Sequence, residues 1–282
     1  MAKIIPQATI LEKYFVTSTL PTQWCPGCGA GGIGHALLQA IERMQLDANK
    51  VVLVSGIGCN GHFTRHLRLD DLHVLHGRAP AVATGLKMAR PDLEVIVIQG
   101  DGDAASIGGN HLIHAARRNI GITTIVSNNY IYGRTGGQYS PTTPKKSIST
   151  SSPFGLEDPP FELCNLVIGA GGTFVARGTS YHIIQLIDLV ERAIKHPGFA
   201  FLEVVAPCPI SYGRKNPETG ITGPQMLRWQ KENSVPIKKA AHMTEESLRG
   251  KIVTGILVDR IEPEYNAAYA KVRQRAQKGG LA

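Results

Sequence analysis

Four short apolar runs, Val51–Val54, Val95–Ile98, Thr123–Val126 and Phe199–Val205, constrain the fold of this chain more than any other feature. Each is rich in β-branched residues and mostly continuous rather than alternating, the pattern of strands buried on both faces of a parallel sheet. Amphipathic stripes separate them. From Gly31 to Met44 the residues Ile33, Ala36, Leu37, Ala40, Ile41 and Met44 recur at helical spacing. Further helices are predicted over Ala81–Ala89, about Asn110–Arg118, and Ser180–Lys195 with Thr179 as its cap. Strands alternating with helices predict an α/β fold, a mostly parallel sheet with helices on both faces. Ligands of such sheets bind beyond the carboxyl ends of the strands. The loops Ser55–Gly61, Gln99–Gly109 and Ser127–Gln138 are therefore where chemistry is expected.

After Pro207 the regular pattern fades. Residues 1–210 read as one α/β domain and residues 211–282 as an extended C-terminal tail packing on a partner, irregular over Ser211–Pro236 with a weak helix near Pro263–Ala276. The net charge of +8 is concentrated after Ser211, where no aromatic pattern or nucleic-acid module accompanies it, so the basic tail is read as a partner-facing surface and not a nucleic-acid site. No apolar run reaches the roughly 18–20 residues of a membrane span, and the N-terminal stretch lacks an export signal. A cytoplasmic protein is expected. Its five cysteines, odd in number and widely spread, do not suggest a disulfide framework.

Two loops carry hard oxygen donors. Gln99-Gly100-Asp101-Gly102-Asp103 follows one predicted strand, and Ser127-Asn128-Asn129-Tyr130-Ile131-Tyr132-Gly133 follows the next. A diphosphate bound through Mg²⁺ needs oxygen ligands and backbone N–H groups that approach closely, which glycine permits. Asp101 supplies a carboxylate, Asn129 an amide oxygen, and Gly100 and Gly102 the tight turn. Either loop alone could be an ordinary turn.

The cysteines fall in three loops. Trp24-Cys25-Pro26-Gly27-Cys28-Gly29 precedes the first helix, Cys59 lies in Gly56-Ile57-Gly58-Cys59, and Cys208 follows the last strand. Four thiolates suit a [4Fe–4S] cluster or a structural Zn²⁺, and spacing does not separate these. A thioredoxin-like redox pair at Cys25 and Cys28 would leave Cys59 and Cys208 unexplained. Cys164, between Leu163 and Leu166, reads as a small core residue.

The pair Gly-Asp-Gly and Asn-Asn, with Asp101 and Asn129 28 positions apart, resembles the motif of thiamine diphosphate enzymes. The whole string is more specific. Trp24 to Gly29, Gly56 to Cys59, His76-Gly77-Arg78-Ala79, Gly100 to Asp103 and Tyr132-Gly133-Arg134-Thr135-Gly136-Gly137-Gln138, in that order, resemble the β subunit of 2-oxoacid:ferredoxin oxidoreductases over about Leu20 to Asn216. The resemblance implies a CoA-dependent oxidative decarboxylation of a 2-oxoacid to acyl-CoA and CO₂, or its reverse, with electrons passing through the cluster to ferredoxin.

It also implies roles for residues. Asp101, the Asn129 side chain and the Ile131 carbonyl would hold Mg²⁺. Cys25, Cys28, Cys59 and Cys208 would hold one [4Fe–4S] cluster. Thiamine diphosphate would lie against Gly100, Asp101, Gly102, Asp103, Tyr132, Gly133, Arg134 and Thr135, with Gly58 and Cys59 at its thiazolium end and His76, Gly77 and Arg78 nearby. His76 could equally be a hydrogen-bonded structural histidine. His62 falls where some relatives carry a lysine that could meet the substrate carboxylate, which a histidine does only when protonated or as a neutral donor. Arg134 is the better candidate for substrate charge, pointing to 2-oxoglutarate rather than pyruvate or a branched 2-oxoacid. No segment resembles a pyrimidine-binding domain, so an α subunit is expected to supply it with the activating Glu. An alternative of another class is a zinc-stabilised binding module with a vestigial cofactor loop.

Overall fold

Alternation of side chains along each strand divides the interior into two apolar layers. The computed structural model describes residues 4–279. Its strands are β1 (Val51–Ser55), β2 (Asp70–His73), β3 (Glu94–Gly100), β4 (Thr123–Asn128), β5 (Ile131–Tyr132), β6 (Gln138–Tyr139), β7 (Phe174–Thr179), β8 (Ala200–Val205), β9 (Ser234–Pro236) and β10 (Ile252–Asp259). The helices are α1 (Gln7–Tyr14), α2 (Gly29–Arg43), α3 (Phe63–His66), α4 (Ala79–Ala89), α5 (Gly109–Arg118), α6 (Leu163–Gly169), α7 (Ile183–Lys195), α8 (Gly223–Asn233), α9 (Ile237–Ala240), α10 (Glu245–Leu248) and α11 (Tyr265–Gln277).

Eight strands form one sheet in the order β2-β1-β3-β4-β8-β7-β10-β9, and β5 and β6 make a separate hairpin. All pairs from β2 to β7 are parallel, while β10 joins β7 antiparallel. Val51 and Leu53 pack with Ile96, Ile98 and Ile125 under α2 and α7. Val52 and Val54 pack with Val95, Val97 and Val126 under α4, α5 and α6. Each of β1, β3, β4 and β8 thus serves two cores, which is why these runs read as continuous, whereas the edge strand β2 is exposed along its length.

Because β1, β3, β4 and β8 are parallel neighbours, the loops after them emerge side by side. The chain leaves β1 for β2 on one side and returns to β3 on the other, so a crevice opens between the ends of β1 and β3. Among the described residues no helix is long and apolar enough to cross a membrane.

Three expectations are corrected. Thr179 does not cap α7; it ends β7, the helix starts at Ile183, and the Thr179 hydroxyl is bonded to the His182 ring at 2.8 Å. The stretch 211–236 is not irregular throughout, since α8 starts on a Thr222–Gln225 capping box that satisfies its first amides. Nor is the region beyond 211 only a tail: β10 adds a strand to the sheet, its buried Ile252 and Thr254 alternating with less buried neighbours. The helix expected near 263–276 is α11.

Candidate active site

Asp101 follows β3 and is sealed from water at 2% exposure. Ser140 Oγ donates to its Oδ2 at 2.6 Å, and the Thr142 hydroxyl lies 2.6 Å from the same oxygen. Burial raises the Asp101 pKa, with those hydroxyls opposing it. At the end of β4, Asn129 Oδ1 accepts from Ile131 N at 3.2 Å, and Asn128 Oδ1 accepts from Tyr130 N at 3.2 Å. These two turns bend the chain through Tyr130, whose φ of 64° is left-handed. Thr142 Oγ1 also lies 2.9 Å from Asn128 Oδ1, so its single hydroxyl hydrogen is shared between the β4 turn and Asp101. The two loops expected to hold Mg²⁺ are therefore linked through Thr142.

Asp103 binds the neighbouring loops together. Its carboxylate accepts from Gln99 Nε2 at 3.0 Å and from Gly77 N at 2.7 Å, and His76 Nδ1 bonds the same oxygen as Gly77. A Cβ on Gly56 would stand 1.9 Å from Asp103 Oδ2, so only glycine leaves room for the carboxylate in the crevice. Gly102 is likewise covered by Tyr132, whose ring would be 2.3 Å from an added Cβ and whose hydroxyl donates to the Gly102 carbonyl at 3.1 Å. Gly100 lies at the end of β3, with Asn60 Nδ2 3.5 Å from its built Cβ. Gly58, at φ 119°, faces open space. Arg78 donates to the Ile107 carbonyl at 3.3 Å, and the Thr135 hydroxyl to Gln138 at 2.7 Å.

The cysteine loops are stitched to one another. Trp24 Nε1 donates to the Cys59 carbonyl at 2.8 Å, Gly29 N to the Pro207 carbonyl at 2.9 Å, and Ser211 Oγ to the Gly133 carbonyl at 3.0 Å. A Cβ on Gly133 would lie 3.4 Å from Cys208 Sγ and 3.9 Å from Cys59 Sγ, which places the Tyr132–Thr135 loop directly against two thiols. Burial, and then the neighbouring thiolates, push the Cys28 thiol up to about 12 and Cys59 up to about 11. Cys208 is raised by burial, against N–H donors from Ser211 and Tyr212. Cys25 is exposed and Cys208 buried.

These donors suit the groups the sequence implies. Thiols crowded enough that neighbouring sulfurs oppose the ionisation of Cys28, Cys59 and Cys208, with backbone N–H groups aimed at sulfur, match the needs of a cationic iron–sulfur core. On the diphosphate side Ser55 Oγ, Asn60 Oδ1 and Gln99 Oε1 are buried without partners, polar atoms that a bound ligand or water would satisfy.

His62 and Arg134 flank the thiols. Burial, then the Arg134 charge, lowers the His62 pKa, and its Nε2 is buried without a partner. Both effects favour the neutral form of His62, while Arg134 is exposed and close enough to lower the Cys59 pKa as well. Beside Gly58 and His76 an open hollow of about 690 Å³ is lined by Ile57, Val74, Leu75, Arg78 and Val82. Cys164 is buried in the core, as expected, but its thiol also donates to Glu203 at 3.2 Å.

Sequence reading missed Ser140, Thr142, Asn128 and Glu203. The first two lie about 40 residues beyond Asp101, and the only signal was the run of Ser and Thr from Ser140 to Ser152.

The model for the thiamine pyrophosphate enzyme, C-terminal TPP binding domain, matches residues 56–204. The 2-oxoglutarate synthase subunit KorB of Methanocaldococcus jannaschii is 47% identical over 253 residues, covering 90% of this chain and 93% of that protein. The 2-oxoglutarate oxidoreductase subunit KorB of Mycobacterium tuberculosis is 46% identical over 194 residues, covering 69% of this chain and 52% of that one. A solved 2-oxoglutarate:ferredoxin oxidoreductase from Magnetococcus marinus, with 2-oxoglutarate, coenzyme A and succinyl-CoA bound, superposes with a TM-score of 0.82 at 33% identity, covering 96% of this chain and 91% of that one. With its diphosphate loop, its four thiols and these relatives in agreement, the chain belongs to the KorB family, the β subunits of 2-oxoacid:ferredoxin oxidoreductases.

Proposed function

We propose that this chain is the diphosphate- and cluster-binding half of a 2-oxoglutarate:ferredoxin oxidoreductase, which converts 2-oxoglutarate and coenzyme A to succinyl-CoA and CO₂ and passes two electrons to ferredoxin, or runs the reverse reaction. One observation carries this reading. A Cβ added to Gly133, in the loop that follows the Asp101–Asn129 pair, would meet two of the four thiols within 4 Å, so a cofactor seated there would be adjacent to an electron acceptor.

Asp101, Asn129 and the Ile131 carbonyl would hold Mg²⁺, and the glycine turns at Gly100 and Gly102 would receive the diphosphate. Cys25, Cys28, Cys59 and Cys208 would hold the cluster. When bound, thiamine diphosphate supplies the electron sink for decarboxylation and the cluster supplies one-electron transfer. The chain's own contribution is positional. Asp103 fixes the loops on either side of the crevice, and Arg134 offers a permanent charge to a substrate carboxylate where neutral His62 offers at most a hydrogen bond. Substrates with two carboxylates, such as 2-oxoglutarate, suit that charge.

The α subunit would cover the hollow beside Gly58, where Leu75 is 77% exposed, and bring the pyrimidine-binding domain, the activating Glu and much of the coenzyme A site. Thiols left unpaired at all five cysteines suit a reducing compartment such as the cytoplasm. The test is anaerobic copurification followed by assay. A brown complex with iron and labile sulfide that reduces ferredoxin with 2-oxoglutarate and coenzyme A is expected; zinc in place of iron, or a preference for pyruvate, overturns the reading.

A further inference from the structure

β8 and β7 carry charges where the middle of a sheet ordinarily carries aliphatic residues. Glu203 on β8 is 3% exposed and stands directly opposite Arg177 of β7 in the parallel register. Arg177 Nε donates to Glu203 Oε2 at 2.7 Å, and the second guanidinium arm reaches Glu162 at 2.6 Å. A buried pair of this kind is often no more stabilising than well-packed apolar residues. Stability alone therefore does not account for it.

The other carboxylate oxygen points toward the metal turn. Asn128 Nδ2 donates to Glu203 Oε1 at 2.7 Å. An ionised carboxylate is only an acceptor, so the amide must present its NH₂ to Glu203 and its oxygen to the opposite side. There Asn128 Oδ1 accepts from Tyr130 N at 3.2 Å and lies 2.9 Å from the Thr142 hydroxyl behind Asp101. We propose that Glu203 is a positioning residue for the metal site: its carboxylate, anchored by Arg177, locks the Asn128 amide in the one orientation that holds the turn carrying Asn129 and Ile131 against Asp101. The inference rests on the reading that Asp101, Asn129 and Ile131 bind Mg²⁺.

Arg177 makes the lock directional. In Glu203→Gln the Arg177 Nε donor claims the new amide's oxygen, which turns its NH₂ toward Asn128 and forces the Asn128 amide to flip. Removing Arg177 as well leaves at that position only the Cys164 thiol, a weak donor that can also accept, and so frees the introduced glutamine to present its oxygen to Asn128 again. A leucine in the same place fixes nothing.

Two double variants without an unpaired buried charge test this in the copurified complex: Glu203→Leu/Arg177→Met and Glu203→Gln/Arg177→Met. The readout is the Mg²⁺ concentration giving half-maximal thiamine diphosphate binding, followed by protein fluorescence, with thermal midpoints measured alongside. Loss of a partner that orients metal ligands costs roughly 10–100-fold in metal affinity. The leucine variant is expected to show a rise of that size and to bind fully at saturating Mg²⁺, while the glutamine variant stays close to wild type. Equal Mg²⁺ dependence in the two double variants overturns the proposal, as does a loss in the leucine variant that saturating Mg²⁺ fails to restore. If the wild-type complex binds thiamine diphosphate without any Mg²⁺ dependence, the metal-site reading fails and this inference with it.

Discussion

Asp101 is a carboxylate removed from water with hydroxyls, and no cationic side chain among the described residues, bonded to it. A divalent ion would supply the missing charge and reverse the effect of burial on its pKa. Asp101→Ala is expected to abolish Mg²⁺-dependent thiamine diphosphate binding, as titration calorimetry of the complex would read; unaltered binding would remove Asp101 from the site. Cys208 and Cys164 are opposites, both buried but one close enough to oppose ionisation of the Cys59 thiol and the other bonded to a carboxylate. Cys208→Ser should cost the cluster and Cys164→Ser should not, which iron counting distinguishes. At Arg134, a hydrogen bond to a charged group is worth about 1.5–3 kcal/mol. Arg134→Ala should accordingly lower kcat/KM for 2-oxoglutarate by roughly 10–100-fold, with a smaller loss for pyruvate in the same assay.

The strands show what a pattern can and cannot reveal. β1, β3, β4 and β8 were legible because each feeds two apolar cores, and the loops after them were legible as the place for chemistry. β7 was missed because Arg177 and Gly178 interrupt it, and a charge neutralised by the opposite strand looks like surface when the sequence is read one strand at a time. β10 was missed because Gly255 divides its apolar run. Within the site, Cys25, Cys28, Cys59, Cys208, Asp101 and Asn129 stand in recognisable strings, whereas Ser140 and Thr142 act across a separation that no local motif spans. The β7–β8 pair has its own measurable signature. Burial opposes the Glu203 charge, but Arg177, Asn128 and Cys164 outweigh it and hold the pKa below its usual value. A lowered carboxyl pKa contributes stability that is present above the unfolded value and lost as pH falls through the folded one. Arg177→Met leaves that carboxylate unpaired and should cost about 3–5 kcal/mol at neutral pH. Urea midpoints should show the deficit shrinking toward acid, where Glu203 takes up a proton; a deficit independent of pH would argue against the pair.

At the scale of the molecule, the matched domain of residues 56–204 holds only one of the four thiols proposed for the cluster. Cys25 and Cys28 precede it and Cys208 follows it, so the segments outside the domain close over the same sheet edge. Trp24 and Gly29 fasten the first segment, and α8 fastens the second where Gln230 bonds the Val205 carbonyl at 3.1 Å. The result is a chain that gathers both groups yet leaves a hollow beside Gly58 open. This chain alone, reconstituted with iron, sulfide, Mg²⁺ and thiamine diphosphate, should take up its cluster but give no 2-oxoglutarate-dependent ferredoxin reduction until the partner subunit is added. Turnover by the isolated chain would show that its site is already complete.

Unequal burial of the four thiols has a chemical cost. Cys208 is enclosed by Ile131, Tyr212 and Met226, while Cys25 stands at the surface. A cluster so seated would turn one corner outward, toward whatever docks there to collect electrons. Dioxygen would reach that corner by the same route, so an opening that serves the electron acceptor would also expose the cluster to air.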